Sequence, residues 1–160
     1  MDVSEHEIER SPKKQKKYYS GKQKYHTIKS QVLANTKSTE IICTAFINGK
    51  THDFSLFKKS NFGMNEELEL LGDKGYQEIK KIHTNSRTPL KKIKNKKLSQ
   101  AEKVLNRQLA KDRIIIENIH RSLNIFRILL SRYRNRRRRF GLRFNLIAGI
   151  YNYELYLKTN

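Results

Sequence analysis

The chain has 160 residues, with 35 Lys and Arg against 15 Asp and Glu, a formal charge of +20. No apolar run approaches the roughly 18–20 residues that span a bilayer. The acidic start (Asp2, Glu5, Glu7, Glu9) is not a signal peptide, and the single cysteine, Cys43, excludes an internal disulfide framework or a multi-cysteine zinc site. The composition reads as one basic, soluble, cytoplasmic domain whose default partner is a polyanion.

In chain order, residues 10–24 read as an exposed basic loop with Ser20-Gly21 as a turn. Residues 25–35 form a strand built on Ile28, Val32 and Leu33. Residues 40–48, EIICTAFIN, form a buried strand that Asn48-Gly49 ends. Phe54, Leu56 and Phe57 mark a short helix over 52–59. Residues 67–71, ELELL, read as a strand running into the Gly72–Gly75 loop. Ser99 and Glu102 have the spacing of a capping box. Leu105, Leu109, Ile116, Ile119, Leu123, Phe126 and Leu130 then predict one long helix over 99–130. After a basic segment at 132–139, Leu142, Leu146, Ile150, Tyr153 and Leu157 predict a second amphipathic helix over 140–158. Strands first and helices last imply an α/β or α+β domain with a small sheet.

The charge is uneven. Residues 1–73 carry 12 basic and 10 acidic side chains, whereas residues 74–160 carry 23 and 5. Two runs stand out: Lys91, Lys92, Lys94, Lys96 and Lys97, and Arg132, Arg134, Arg136, Arg137, Arg138 and Arg139. Consecutive arginines repel one another, and nucleic-acid phosphates relieve that repulsion.

No P-loop, dinucleotide fingerprint or nucleophile elbow is present. The five histidines lack metalloprotease spacing and read as surface or hydrogen-bonded residues. The scarce carboxylates are more informative. Asp73 follows an apolar strand-like segment, Asp53 follows another, and Glu117 lies beside the apolar stripe of the long helix. Each has an ordinary role available: Asp53 as a helix cap, Asp73 as a turn residue, Glu117 as an i,i+4 partner of Arg113. Together, strand-end aspartates and a helical glutamate suit a pair of divalent cations about 3.5–4 Å apart, and oxygen donors favour Mg²⁺.

Six blocks carry a specific resemblance: DVSEHEIERSPKKQKKYYSGKQKYHTIKSQ, GKTHDFSLFKKS, LLGDKGYQEI, TPLKK, RIIIE and FRILLSRYRNRRRRFGLRFNLIAGIYNYEL. In this order they resemble bacterial insertion-sequence transposases of the DDE class, of the insertion-sequence-five kind related to the Harbinger transposases. The resemblance implies a ribonuclease-H-like fold, a mixed sheet flanked by helices. It matches Asp2 to the first catalytic aspartate, Asp73 in DKGY to the second, and Glu117 in Arg113-x-x-x-Glu117 to the glutamate. These three would hold two Mg²⁺ or Mn²⁺ ions. Asp53 in the THDF block competes for the second aspartate role and otherwise starts or supports a helix; Arg113 is accessory. The family signature places a basic residue seven positions after the glutamate, where this chain has Asn124.

The resemblance further implies double-stranded DNA as partner, a nucleoid setting and action as a multimer; the charge runs themselves point to DNA contacts from Lys91, Lys92 and the 132–139 arginines. Family members carry a helical DNA-binding region and a strand leading into the first aspartate. The chain begins one residue before Asp2, so the first strand is expected to be nearly absent, leaving Asp2 on a fraying end and the chain a poor enzyme. Three functions follow as expectations: the catalytic part of a Mg²⁺-dependent DNA transposase, an inactive remnant that only binds DNA, or a basic RNA-binding or ribosome-associated protein.

Overall fold

The computed structural model describes residues 1–10, 15–92 and 98–159; Lys94, Lys96 and Lys97 of the lysine run lie outside them. Three strands, β1 (Asp2–Glu7), β2 (Thr27–Ala34) and β3 (Ile41–Asn48), form an antiparallel sheet in the order β1-β2-β3. Two short parallel strands, β4 (Leu70–Leu71) and β5 (Ser86–Arg87), form a separate pair. The Met1 ammonium donates to the Leu71 carbonyl at 2.8 Å, which sets β4 against the start of β1. The helices are α1 (Gln15–Tyr18), α2 (Asp53–Ser60), α3 (Gln100–Leu123), α4 (Arg127–Leu130) and α5 (Phe140–Thr159). The result is a mixed α/β architecture with a small sheet. No helix among the described residues is long and apolar enough to cross a membrane.

Residues 2–7 form a strand: β1 pairs with β2 along its whole length, from Asp2 opposite Val32 to Glu7 opposite Thr27. Sequence pattern hid this strand because its inward side chains are polar. Ser4 and His6 alternate on one face and bond to each other and to Ser30: His6 Nε2 to Ser30 Oγ is 2.7 Å and Ser4 Oγ to Ser30 Oγ is 2.9 Å. The remaining ring nitrogen of His6 donates to the Leu129 carbonyl at 2.9 Å. Each polar group has a partner, so a strand that looks solvated can carry a buried histidine.

The alternation of β2 divides the core. Ile28 and Val32 face the cluster formed with Ile116, Ile119, Leu123, Leu129, Phe140, Phe144 and Ile147. Leu33 faces a second cluster with Phe54, Phe57, Tyr76 and Ile79. Gly49 ends β3 where a Cβ would stand 1.9 Å from Thr27 Oγ1, a close approach that only glycine permits. β3 is a half-exposed edge, not the buried strand the sequence implies; Ile42 is 62% exposed. Asn152 of α5 closes part of that edge. Its amide donates to the Ile41 carbonyl and accepts from the Ile41 N–H, both at 2.9 Å, as a neighbouring strand would.

The capping box of α3 is present: Ser99 and Glu102 side chains each bond the other's backbone N–H. The helix stops at Leu123, short of the 130 expected. Phe126 takes an extended conformation, and the restarted turn α4 carries Leu129 into the core at 2% exposure. A continuous helix would not aim Leu129 and its carbonyl at His6.

The largest correction concerns α5. The stripe Leu142, Leu146, Ile150, Tyr153 and Leu157 faces outward, while Phe140, Phe144, Ile147 and Ala148 are buried. Apolar residues surround this helix, so period alone cannot choose a face. Aromatic packing does. Phe140 and Phe144 meet Phe46 edge-on at 5.8 and 5.3 Å, and Phe140 meets His6 and Tyr133 at 5.2 and 5.3 Å. Phe144→Ala should therefore lower the unfolding free energy by about 3–5 kcal/mol. Leu146→Ala, two residues on, should change it by no more than about 0.5 kcal/mol. Urea unfolding of the two variants checks the assignment.

Candidate active site

Three elements bring the acidic residues together. β1 presents Asp2 at its first position. The loop after β4 presents Asp73, whose carboxylate accepts from the Lys74 N–H and caps the 3₁₀ turn Lys74–Tyr76. α3 sends Arg113 between them. Its Nη1 lies 3.3 Å from Asp73 Oδ1 and its Nη2 lies 3.5 Å from Asp2 Oδ1. The guanidinium is 13% exposed. Arg113 therefore pairs with the two aspartates, not with Glu117 as helix spacing alone suggests.

Glu117 lies one helical turn beyond Arg113 and is exposed. With Asp2, Ser4, His120, Arg121 and Asn124 it lines an open cleft of about 570 Å³. Inward packing of Ile116, Ile119 and Leu123 fixes the phase of α3 and leaves positions 117, 120, 121 and 124 along the cleft. Asp2 and Glu117 thus share a cavity, and Asp2 and Asp73 share a counter-ion. Among the described residues, no three His, Cys, Asp or Glu side chains stand close enough to hold a metal ion as placed.

Burial pushes the Asp2 carboxyl above its ordinary value; Arg113 pulls it back and Asp73 adds to the rise. Tyr76 is 1% exposed, and its hydroxyl has no hydrogen-bond partner among the described residues. Burial pushes the phenol upward, and the charges of Asp53, Asp2 and Asp73 push the same way.

Asp53 sits elsewhere. It follows His52, whose ring nitrogen accepts from the Phe54 N–H and so takes the cap role in place of the aspartate. Asp53 Oδ1 binds Lys29 Nζ at 2.7 Å in a second cleft, lined also by Glu5, Lys22 and Lys50.

His120 has no such signal in the sequence beyond its i,i+3 spacing from Glu117. Its Nε2 is 3.9 Å from Asp2 Oδ2, and the side chain is 12% exposed. Burial, with the His6 and chain-start charges, brings its pKa down to about 4, so the ring is neutral at pH 7. Arg121 adds a basic side chain to the cleft whose position 124 holds asparagine.

The arginines lie at the other end of β1. Ile8 bridges Tyr133; the Tyr133 N–H donates to the Glu7 carbonyl at 2.8 Å and the Glu9 N–H to the Tyr133 carbonyl at 3.0 Å. Arg132 is bound to Glu7, whereas Arg134, Arg136, Arg138 and Arg139 are exposed, as are Lys91 and Lys92.

The family described as DDE superfamily endonuclease matches residues 1–152. The chain belongs to this family. The match spans Asp2, Asp73 and Glu117. A relative from Microchaete diplosiphon, described as a probable transposase for insertion sequence element IS702, is 54% identical over 159 residues, 99% of this chain. The chain spans 58% of that relative's length. No solved structure matches.

Two measurements test the electrostatics of this cluster. Arg113→Met leaves two carboxylates facing each other and should cost about 1–3 kcal/mol at pH 7, the exposure of Asp73 moderating the loss. Because folding already favours protonated Asp2, the deficit should shrink as the pH falls to 5, read by urea unfolding at both values. His120 acts in the opposite direction. Its folded pKa of about 4 lies below the ordinary 6.5, so its contribution is intact above 6.5 and is lost as the pH falls towards 4. His120→Gln should remove a loss on the order of 3 kcal/mol over that window.

Proposed function

We propose that this chain is the catalytic part of an insertion-sequence DNA transposase, cutting DNA phosphodiester bonds and joining the ends to a target. The observation that carries this reading is the convergence of Asp2 and Asp73 on one cationic group, with Glu117 one helical turn away on the cleft of Asp2. Asp2, Asp73 and Glu117 are the carboxylates that would hold two Mg²⁺ or Mn²⁺ ions. The fit is chemical: the donors are hard oxygens, and two already face a positive charge. Divalent cations bound there supply activation of a water or 3′ hydroxyl and stabilisation of the leaving oxygen.

The remaining roles belong to the chain's own residues. Arg113 keeps two like charges together before any cation arrives. Neutral His120 borders Asp2 without competing as a charge. Asp53 is tied to Lys29 and supports α2. The proposed fold is ribonuclease-H-like, with β4 beside β1 and the carboxylates on the first strand, after the fourth, and on a late helix. Lys91, Lys92, Arg132, Arg134, Arg136, Arg137, Arg138 and Arg139 would hold the double-stranded DNA. Family membership leaves the incidental-carboxylate, RNA-binding reading without support.

The test is cleavage of DNA bearing the element's ends, in Mg²⁺ and Mn²⁺. Asp2→Asn, Asp73→Asn and Glu117→Gln should each lower cleavage by about 100-fold or more while DNA binding stays intact, and Asp53→Asn should act through stability. Binding without cleavage by the parent chain would instead identify a DNA-binding remnant.

A further inference from the structure

Beyond the carboxylate cleft, a cavity of about 460 Å³ lies at the far end of β1, lined by Arg10, Tyr18, Tyr133, Arg136, Arg137 and Arg138, with Glu9 as its carboxylate. We propose that this cavity is a phosphodiester-binding pocket that grips the DNA backbone at a fixed distance from the catalytic carboxylates. The inference rests on the DNA reading above and adds to it a specific site in place of a diffuse basic surface.

Four guanidinium groups meet one carboxylate there, so the pocket is strongly positive. Neutral groups orient two of them. Arg10 donates from Nε and Nη2 to the Gln15 Oε1, at 3.0 and 2.8 Å, a neutral acceptor. The Arg137 guanidinium lies 4.4 Å from the centroid of the Tyr18 ring, stacked on a side chain that packs against the main core. A stacked planar guanidinium is positioned in advance and loses less freedom when it binds a phosphate. Tyr133 is 3% exposed, and its hydroxyl accepts from Arg143 at 2.7 Å, so the pocket wall is rigid. The two backbone bonds between residues 7–9 and Tyr133 hold Arg10 and the 136–138 segment together. Arg132, by contrast, is neutralised by Glu7.

The position is set by β1. Seven residues separate Asp2 from Glu9. At about 3.3 Å per residue the pocket lies about 23 Å from the first catalytic aspartate.

The test is the salt dependence of binding to a labelled random-sequence duplex, read by fluorescence anisotropy, with folding followed by circular dichroism. Arg136→Gln and Arg138→Gln should each lower affinity by roughly tenfold near 0.1 M salt and reduce the salt slope by about 1, the value for one phosphate contact. Lys158→Gln removes the same charge from an exposed site some 27 Å along α5 from Phe140 and should leave the slope within error. Tyr18→Ala, which changes no charge, should lower affinity about threefold or more by freeing Arg137 from its stack, while Tyr18→Phe should restore it. The pocket is overturned if the Arg136 and Arg138 variants behave like Lys158→Gln, or if folded Tyr18→Ala binds as the parent does. Should Tyr18→Ala not fold, the exposed arginines decide alone. Cleavage is scored separately. Lost pocket effects with intact cleavage refute the pocket and spare the transposase reading, and a pocket-dependent slope in a chain that never cleaves supports the pocket and refutes that reading.

Discussion

A single guanidinium holds two carboxylates of this molecule together. Arg113 is fed from α3 into the gap between the start of β1 and the turn after β4, where Asp2 and Asp73 would otherwise repel each other. Its placement depends on the phase of α3, which is fixed by Ile116, Ile119 and Leu123 in the core and by the capping box at Ser99. The same phase delivers Glu117, His120 and Arg121 to the cleft. Packing on one side of the helix thereby dictates electrostatics on the other.

The sheet beneath is unusually polar for a core. Thr27, Lys29, Ser30 and Gln31 of β2 are all buried. Burying Lys29 is costly unless its charge is met. It is met by Asp53 at 2.7 Å, by Glu5 at 3.7 Å and by the Thr51 carbonyl at 2.9 Å. Thr27 donates to the other oxygen of Glu5. This cluster joins β1, β2 and the start of α2, and it gives the aspartate of the THDF block a partner in Lys29.

Several features were legible in the sequence because a local rule decides them: β2, the Asn48-Gly49 end of β3, the Ser99 capping box and the acidic and basic partition of the chain. The residues alone suggested that strand-end aspartates and a helical glutamate converge on a pair of cations; the family resemblance assigned those roles to Asp2, Asp73 and Glu117. What stayed hidden depended on tertiary partners. The strand at residues 2–7 looks solvated until Ser30 and Leu129 satisfy Ser4 and His6. The buried face of α5 is chosen by Phe46 and Tyr133, distant in sequence, and the end of α3 by the need to seat Leu129. His120 carried no pattern of its own and became part of the cleft only when α3 packed beside Asp2.

β1 carries a consequence for the geometry of the proposed DNA complex. It separates the cleft from the arginine pocket by about 23 Å, some two-thirds of the 34–36 Å that one turn of duplex occupies. Along a duplex lying parallel to β1, the phosphates of any one strand rotate through about two-thirds of a circle over that interval. A strand whose phosphate enters the cleft has turned away by the time it reaches the pocket, and the complementary strand has come round to face it across the major groove. In such a complex the strand that is cut and the strand that is gripped are different strands, so the grip would survive release of the cleaved end.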